Sequence, residues 1–262
     1  MASGTTRKAI TAEIWNKLEP LVRQAKHSAA GSPAMQSDRD FIEAVLWIAR
    51  TGSPWRDLPA QMGHWNHVYV RFRTWERRGV WKRLWQSLQE EVFADARHLF
   101  IDSTSVRAHQ HAAGAPKKGG DQALGRSRGG LTTKIHAACV DEISSVGLIL
   151  SPGQSADCSN FGELFASLDK DNVLEAAALD KGYDSNAIRE RLAEDGIKPV
   201  IPPKSNRKEA IPYDREIYRQ RNRVERFFNR IKHFRRIATR YEKYACTFLA
   251  MVHLTAAFLY LR

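Results

Sequence analysis

The first 95 residues carry apolar side chains at helical spacing. This spacing predicts four helices, over residues 11–25, 39–50, 64–78 and 81–93. Ser37 or Asp38 is expected to cap the second helix. The third helix places Trp65, Phe72 and Trp75 on one stripe with arginines beside it. A turn containing Gly and Pro followed by a basic aromatic helix is compatible with a helix-turn-helix DNA-binding module, although most helical hairpins bind no nucleic acid.

From residue 96 onward the pattern alternates between strands and helices. Strands are predicted over residues 98–102, 131–140, 146–150, 176–180 and 197–201. Helices are predicted over 158–168, 184–194, 213–236 and 247–261. The stretch 105–130 has no apolar periodicity and is predicted to be a mobile loop. Strands alternating with helices indicate an α/β domain over residues 96–262, preceded by a small all-α domain over residues 1–95.

The positive charge is concentrated in two segments. The chain has a net charge of +12, and residues 204–240 alone hold thirteen basic and four acidic residues. Such concentration favours a polyanionic partner, because neutralising phosphates releases condensed counterions. A helix face that is merely solvated would usually interleave positive and negative side chains, and this segment does not. An anionic membrane surface is an alternative to nucleic acid as the partner. In the second segment only Glu76 opposes a cluster formed by Arg71, Arg73, Arg77, Arg78, Lys82 and Arg83.

Composition narrows the class of protein. Apolar residues make up 43% of the chain, enough to build a core, so disorder over the whole length is excluded. Three widely spaced cysteines argue against a disulfide scaffold, and a reducing, cytoplasmic location with nucleoid association is expected. The N-terminus has no apolar signal segment. Residues 245–261 lack charge but are short for a membrane span, so a buried terminal helix is the preferred interpretation.

Three acidic residues are candidates for chemistry. Asp102 and Asp180 each close an apolar strand, and ligands of α/β sheets gather beyond strand carboxyl ends. Two carboxylates brought together would repel, which implies a bound cation, although such aspartates also start turns and cap helices. Glu225 is the only carboxylate between Ile217 and Tyr241 and lies at the border of the apolar stripe. A structural ion pair between Glu225 and Arg221 would suit the same position.

Competing motifs are weak. Gly125-x4-Gly130 is followed by Leu131 rather than Lys, which argues against a phosphate-binding loop. The chain has no Cys-x2-Cys pair for zinc and no recognisable Ser-His-Asp arrangement. His109 and His111 are secondary candidates for binding metal or DNA. Asp157 and Asp184 are rival acids that helix capping would explain.

The motif Tyr218-x2-Arg221-x3-Glu225-x6-Lys232 resembles the signature around the catalytic glutamate of bacterial DDE insertion-sequence transposases. The resemblance is strongest to the insertion-sequence-five family and spans nearly the whole chain. It implies a ribonuclease H-like catalytic domain after a helix-turn-helix-like domain, with Asp102, Asp180 and Glu225 as the metal-binding triad. Other stretches that carry it are TGSPWRDLPAQMGHWNHVYVRFRTW, DSTSVRAHQHAAG, RGGLTTKIH, LDKGYDS, IPPKSNRK and QRNRVERFFNRIKHFRRIATRY.

The resemblance implies a transposase that binds terminal inverted repeats, cleaves DNA and joins the 3′ ends to target DNA. The triad would hold two Mg²⁺ ions, with Mn²⁺ as an expected substitute, and a homodimer would pair the two DNA ends. Arg221 and Lys232 would contact phosphate, with Tyr218 supporting that face. The alternatives are a DNA-binding regulator without cleavage and a membrane-surface protein. The full set of expected DNA contacts is Arg71, Arg73, Arg77, Arg78, Lys117, Lys118, Arg126, Arg128, Lys134, Tyr218, Arg221, Arg226, Lys232, Arg235 and Arg236.

Overall fold

Four helices form the N-terminal part of the molecule. The structure is a computed structural model and describes residues 8–26, 36–114, 121–168, 174–209 and 211–262. Ser37 caps the second helix, because its Oγ accepts a hydrogen bond from the Asp40 amide at 3.0 Å. All four predicted helices are confirmed, with ends within one residue of the predicted ones: α1 (Ala12–Lys26), α2 (Asp38–Thr51), α3 (Trp65–Arg77) and α4 (Val80–Ala94).

A mixed sheet forms the second part. The described residues form seven strands: β1 (His98–Ala108), β2 (Gly125–Ser127), β3 (Gly130–Cys139), β4 (Ser145–Pro152), β5 (Ala176–Leu179), β6 (Lys198–Val200) and β7 (Thr239–Arg240). Strands β1, β3 and β4 pair antiparallel, whereas β5 and β6 run parallel to β1, so that the order is β4-β3-β1-β5-β6. This order, an antiparallel meander joined to two parallel strands, confirms the expected ribonuclease H-like fold.

The predicted loop over residues 105–130 is wrong at both of its ends. Strand β1 continues through Ser105 to Ala108 because its polar residues pair with β3, with Arg107 opposite Thr132. Near the other end, β2 also pairs with β3. Polar strand residues such as these leave no apolar periodicity to detect. Residues 115–120, which include Lys117 and Lys118, lie outside the described residues.

The long helix predicted over residues 213–236 is also wrong. A turn at Gln220–Arg221 interrupts it, where backbone hydrogen bonds span three residues, as from the Arg221 amide to the Tyr218 carbonyl at 3.0 Å. After the turn, the Arg223 guanidinium lies over the Phe100 ring of β1, 5.4 Å from its centre. The remaining helices are α5 (Phe161–Ala166), α6 (Asn186–Glu194), α7 (Arg215–Arg219), α8 (Asn222–Ile231), α9 (Arg235–Ala238) and α10 (Ala245–Tyr260).

Alternate residues of the sheet face two apolar layers. On one face Phe100 and Ile135 join a cluster that includes α1–α4, α8 and α10. On the other face Leu99 and Ile101 pack with α5 and α6. Helix α10 is buried along most of its length, which confirms the prediction of a buried terminal helix. In the ranges that the structure describes, no helix combines the length and apolar composition that crossing a bilayer requires.

Candidate active site

Strands β1 and β5 bring Asp102 and Asp180 to the same edge of the sheet. The two strands are parallel neighbours, and Ile101 pairs with Leu179. Each aspartate is the next residue along its strand, so the two carboxylates leave the apolar layer side by side. Asp180 follows the end of β5 as predicted, but Asp102 does not close its strand, because β1 continues to Ala108 through its pairing with β3. The parallel register with β5 makes the two acids neighbours.

Asp102 is partly buried and held by two donors. Its Oδ1 accepts the Ser103 amide at 2.8 Å, and its Oδ2 accepts Arg221 Nη1 at 2.6 Å. Burial raises the pKa of Asp102 above its ordinary value, Arg221 opposes this rise, and the Asp180 charge adds to it. The Arg221 guanidinium therefore offsets part of the effect of burial on Asp102.

Asp180 also shapes the chain that follows it. Its Oδ1 accepts the Gly182 amide at 2.7 Å and caps the 3-10 turn Lys181–Tyr183. A Cβ at position 182 would lie 2.8 Å from that oxygen, so glycine permits the close turn. The turn-starting role that the sequence left open is therefore observed, and it occupies one carboxylate oxygen.

Glu225 lies on α8 and meets Asp102 through a shared arginine. Arg221 Nη2 donates to Glu225 Oε1 at 2.5 Å while its Nη1 holds Asp102. The Glu225 side chain is 52% exposed, whereas that of Arg221 is only 15% exposed. The ion pair with Arg221, which the sequence left open as the alternative to a metal-binding role for Glu225, is therefore present.

The donor chemistry of this edge fits a divalent metal. Carboxylate oxygens are the ligands that Mg²⁺ prefers, and Asp102 and Glu225 converge on one cation, which is the Arg221 guanidinium. Across the described ranges, no three His, Cys, Asp or Glu side chains lie close enough together to hold a metal ion. The arrangement with Arg221 in place therefore has suitable ligands without a closed ligand set, and the metal-binding triad stays a prediction.

Lys232 and Tyr218 complete the predicted motif around the site. Lys232 Nζ donates to Thr104 Oγ1 at 2.6 Å and to the Ser105 carbonyl at 3.1 Å, and burial lowers its pKa. The Tyr218 ring lies 5.8 Å from the Arg221 guanidinium. The four motif residues thus lie beside the part of β1 that runs from Asp102 to Ser105.

Two family models account for most of the chain. Residues 10–85 match the model described as "Putative transposase of IS4/5 family", and residues 93–260 match the model described as "Transposase DDE domain". The chain belongs to the DDE transposases. Its family membership agrees with the resemblance carried by the motif around Glu225.

Individual relatives show the same relationship. The transposase is 33% identical over 138 residues to the "Putative transposase for insertion sequence element IS6501" of Brucella ovis, covering 50% of this chain and 100% of that protein. It is 48% identical over 85 residues to the uncharacterized protein y4sN of Sinorhizobium fredii, covering 32% of this chain and 66% of that protein. The "Insertion element IS402 uncharacterized 16.2 kDa protein" of Burkholderia cepacia is 36% identical over 104 residues. This match covers 37% of this chain and 71% of that protein.

Solved structures show distant similarity. The piggyBac transposase in a synaptic complex with hairpin DNA is 14% identical, with a TM-score of 0.39, and the match covers 78% of this chain and 50% of that chain. The Mos1 chain of a pre-cleavage transpososome is 10% identical, with a TM-score of 0.28, and the match covers 98% of this chain and 87% of that chain.

Some side chains of the transposase site were not predicted. Asp157 does not cap a helix, since Ala156 occupies the N-cap position. Its Oδ1 instead accepts Ser103 Oγ at 2.7 Å and Lys134 Nζ at 2.8 Å. Asp184 likewise leaves capping to Ser185 and accepts Arg207 Nε at 2.6 Å. Asp157 therefore contacts the residue next to Asp102, whereas Asp184 holds the segment around Lys204 and Arg207. Spacing along the chain does not reveal these contacts.

Tyr183 is the least expected neighbour of the acids. Its side chain is fully buried, and its hydroxyl has no hydrogen-bond partner among the described residues. Burial raises the pKa of Tyr183, and the nearby charges of Asp157, Asp102 and Asp180 raise it further. Its position three residues after Asp180, within LDKGYDS, is the one signal that the sequence offers for it.

The predicted DNA-contacting residues of the transposase divide by exposure. Arg71 pairs with Asp38, Arg73 donates to Thr247 Oγ1 at 2.8 Å, and Lys134 pairs with Asp157. Arg236 is buried, contrary to what its surroundings in the sequence suggested. The side chains of these four residues are thus held by partners within the protein. The exposed members are Arg77, Arg78, Arg126, Arg128, Arg226 and Arg235.

Proposed function

We propose that this transposase binds the terminal inverted repeats of its insertion sequence, cleaves DNA by metal-dependent hydrolysis and joins the 3′ ends to target DNA. The observation that carries the proposal is the convergence of Asp102 and Glu225 on one cation, with Asp180 at the neighbouring strand end. Two acids from strands and one from a helix supply oxygen ligands where ligands of α/β sheets gather.

Asp102, Asp180 and Glu225 would hold two Mg²⁺ ions, with Mn²⁺ as a substitute. When bound, Mg²⁺ supplies Lewis-acid stabilisation of the charge that develops on the phosphate during in-line displacement. The Ser103 amide orients one oxygen of Asp102, which leaves the other to face the cation. Lys232, fixed by Thr104, brings a positive charge to the same edge and would bind a DNA phosphate there.

Helix α3 offers a surface for recognising the DNA ends. Asn66, His67, Val70 and Arg77 are exposed, and Val70 retains 51% of its accessible surface. An exposed helical stripe of amide, imidazole and apolar groups is suited to base edges in a major groove, while flanking arginines bind phosphates. Two DNA ends must be cut and joined together, and we propose that a homodimer brings them together.

Carboxylate substitution tests the proposal. Asp102→Asn, Asp180→Asn and Glu225→Gln in the full chain should each lower nicking of an end-bearing duplex in Mg²⁺ by more than about 100-fold. Loss of a supporting partner alone typically costs a metal site 10–100-fold, and a direct ligand should cost more. Duplex binding, measured by anisotropy, should persist because other residues supply the affinity.

Glu90→Gln, an exposed acid on α4, is the matched control and should nick at the wild-type rate. If one of the three substituted proteins nicks DNA at the wild-type rate, the residue substituted in it is not a member of the triad. Wild-type protein that binds ends without nicking them in Mg²⁺ or Mn²⁺ would instead indicate a DNA-binding regulator.

A further inference from the structure

Arg221 occupies the position between two of the proposed metal ligands. It bridges Asp102 Oδ2 at 2.6 Å and Glu225 Oε1 at 2.5 Å. We propose that Arg221 is an internal counter-ion that fills this site in the absence of DNA and moves away when DNA binds, so that metal binding depends on DNA. The inference rests on the proposed function, because it assumes that these carboxylates are metal ligands.

The charges explain why the site needs a resident cation. Asp102 is partly buried, and burial together with the nearby charge of Asp180 disfavours its ionisation. A planar guanidinium offers parallel donors, which suits two separate carboxylates better than an ammonium does. A metal ion on these oxygens would lie close to the guanidinium, and the two cations would repel at short range. The bridged state therefore disfavours metal.

The position of Arg221 in the chain permits its side chain to leave. The residue lies in the turn between α7 and α8, where the regular helical hydrogen bonding is interrupted. Its neighbour Glu225 is half exposed, so the guanidinium lies near the surface that a DNA backbone would approach. A phosphate presents oxygens that a guanidinium binds with two parallel hydrogen bonds, so DNA offers Arg221 an alternative anion.

A purely structural role for the Arg221 ion pairs predicts a different effect of removing Arg221 on the affinity for metal. If Arg221 only stabilises the fold, its removal should leave the affinity for metal unchanged or lower it. If Arg221 competes with metal, Arg221→Gln should bind Mn²⁺ about 10-fold more tightly than wild type without DNA, within the usual range of coupling between two ligands. An uncleavable end duplex should strengthen Mn²⁺ binding to wild type by a similar factor and affect Arg221→Gln little.

The experiment measures free Mn²⁺ by electron paramagnetic resonance during titration of the full chain, with and without the duplex. The Asp102→Asn/Asp180→Asn double variant with duplex gives the background of Mn²⁺ bound to DNA. Arg219→Gln is the matched control, since it removes an exposed arginine that pairs with Glu216 on α7. It should bind Mn²⁺ as wild type does. Melting curves verify that each variant is folded at the titration temperature.

Arg221→Lys provides a second route if Arg221→Gln unfolds, because it keeps the charge but loses the planar fork. It should bind Mn²⁺ more tightly than wild type. Wild-type or weaker affinity in a folded Arg221 variant, together with loss of binding in the double variant, would overturn the counter-ion role and leave the metal site standing. Unchanged Mn²⁺ binding in the double variant would overturn the metal site itself.

Discussion

Arg236 lies in the most basic segment of the chain, yet its side chain is in the interior. Its Nε donates to Glu242 Oε1 at 2.5 Å, and its Nη1 donates to the Ser53 carbonyl at 2.7 Å. The guanidinium also lies 5.7 Å from the Trp55 ring. These contacts fasten α9 to the turn after α2. A count of basic residues therefore overstates the charge that this segment offers to DNA.

Removing the partner of Arg236 should destabilise the fold strongly. Glu242→Gln leaves a buried guanidinium without its counter-charge, and breaking a buried pair typically costs about 3–5 kcal/mol. Urea unfolding followed by tryptophan fluorescence measures the loss. Glu175→Gln is the matched control, because it breaks an exposed pair with Arg97 and should cost less than about 1 kcal/mol. Equal decreases in the free energy of unfolding of the two variants would show that the pair of Arg236 and Glu242 is not buried in solution.

Helix α3 shows why an element can be predicted while its binding face is not. Its buried stripe of Val68, Phe72 and Trp75 follows the apolar spacing. Arg71 and Arg73 flank Phe72 and were the natural candidates for DNA, but Asp38 of α2 and Thr247 of α10 accept their hydrogen bonds. Those partners are distant in sequence, so no local pattern reports them.

Two substitutions on α3 should separate base reading from phosphate binding. In the full chain, Val70→Ala should reduce the preference for an end duplex over a shuffled duplex, since apolar side chains contact thymine methyl groups in the major groove. Arg77→Ala should weaken binding to both duplexes alike and lower the salt slope by about 1. Anisotropy titrations at several salt concentrations measure both effects. An unchanged preference in Val70→Ala would place base reading on another surface.

The elements set by local periodicity were predicted, and those set by distant contacts were not. The proposed acids were selected by their positions in the sequence, and Asp180 does follow the end of an apolar strand. Asp102 was expected to end its strand as well, but β1 continues to Ala108. The turn before α8 was missed because the bond from Arg221 to Asp102 joins residues 119 positions apart. The Asp157 contact with Ser103 likewise depends on the tertiary fold.

The whole molecule has one apolar cluster that joins the N-terminal helices to the sheet. Phe248 and Met251 of α10 are fully buried and belong to the cluster that also holds Trp81 of α4 and Phe100 of β1. The family models divide the chain between residues 85 and 93. The predicted division into domains over 1–95 and 96–262 stays a prediction, but a shared core couples the stability of the two parts.

This coupling should appear as one unfolding transition. All seven tryptophans lie in the first 95 residues, so their fluorescence reports mainly on the helices. Trp85, which donates to Ser145 Oγ of β4 at 3.2 Å, also reports on the contact with the sheet. Cys139 of β3 is fully buried, and burial raises its thiol pKa, so its alkylation reports on opening of the sheet. In a denaturant series, fluorescence and Cys139 labelling, followed by mass spectrometry of its peptide, should give the same midpoint.

Phe248→Ala makes the test sharper, because the substitution leaves a cavity where α10 joins both parts. It should cost about 3–5 kcal/mol and lower both midpoints together. Tyr260→Ala, at the partly exposed end of the same helix, is the control and should shift them less. Two separate midpoints in wild type, with Phe248→Ala moving only one of them, would show that the N-terminal helices unfold independently of the sheet. The apolar cluster that joins the N-terminal helices to the sheet would then contribute little to the stability of either part.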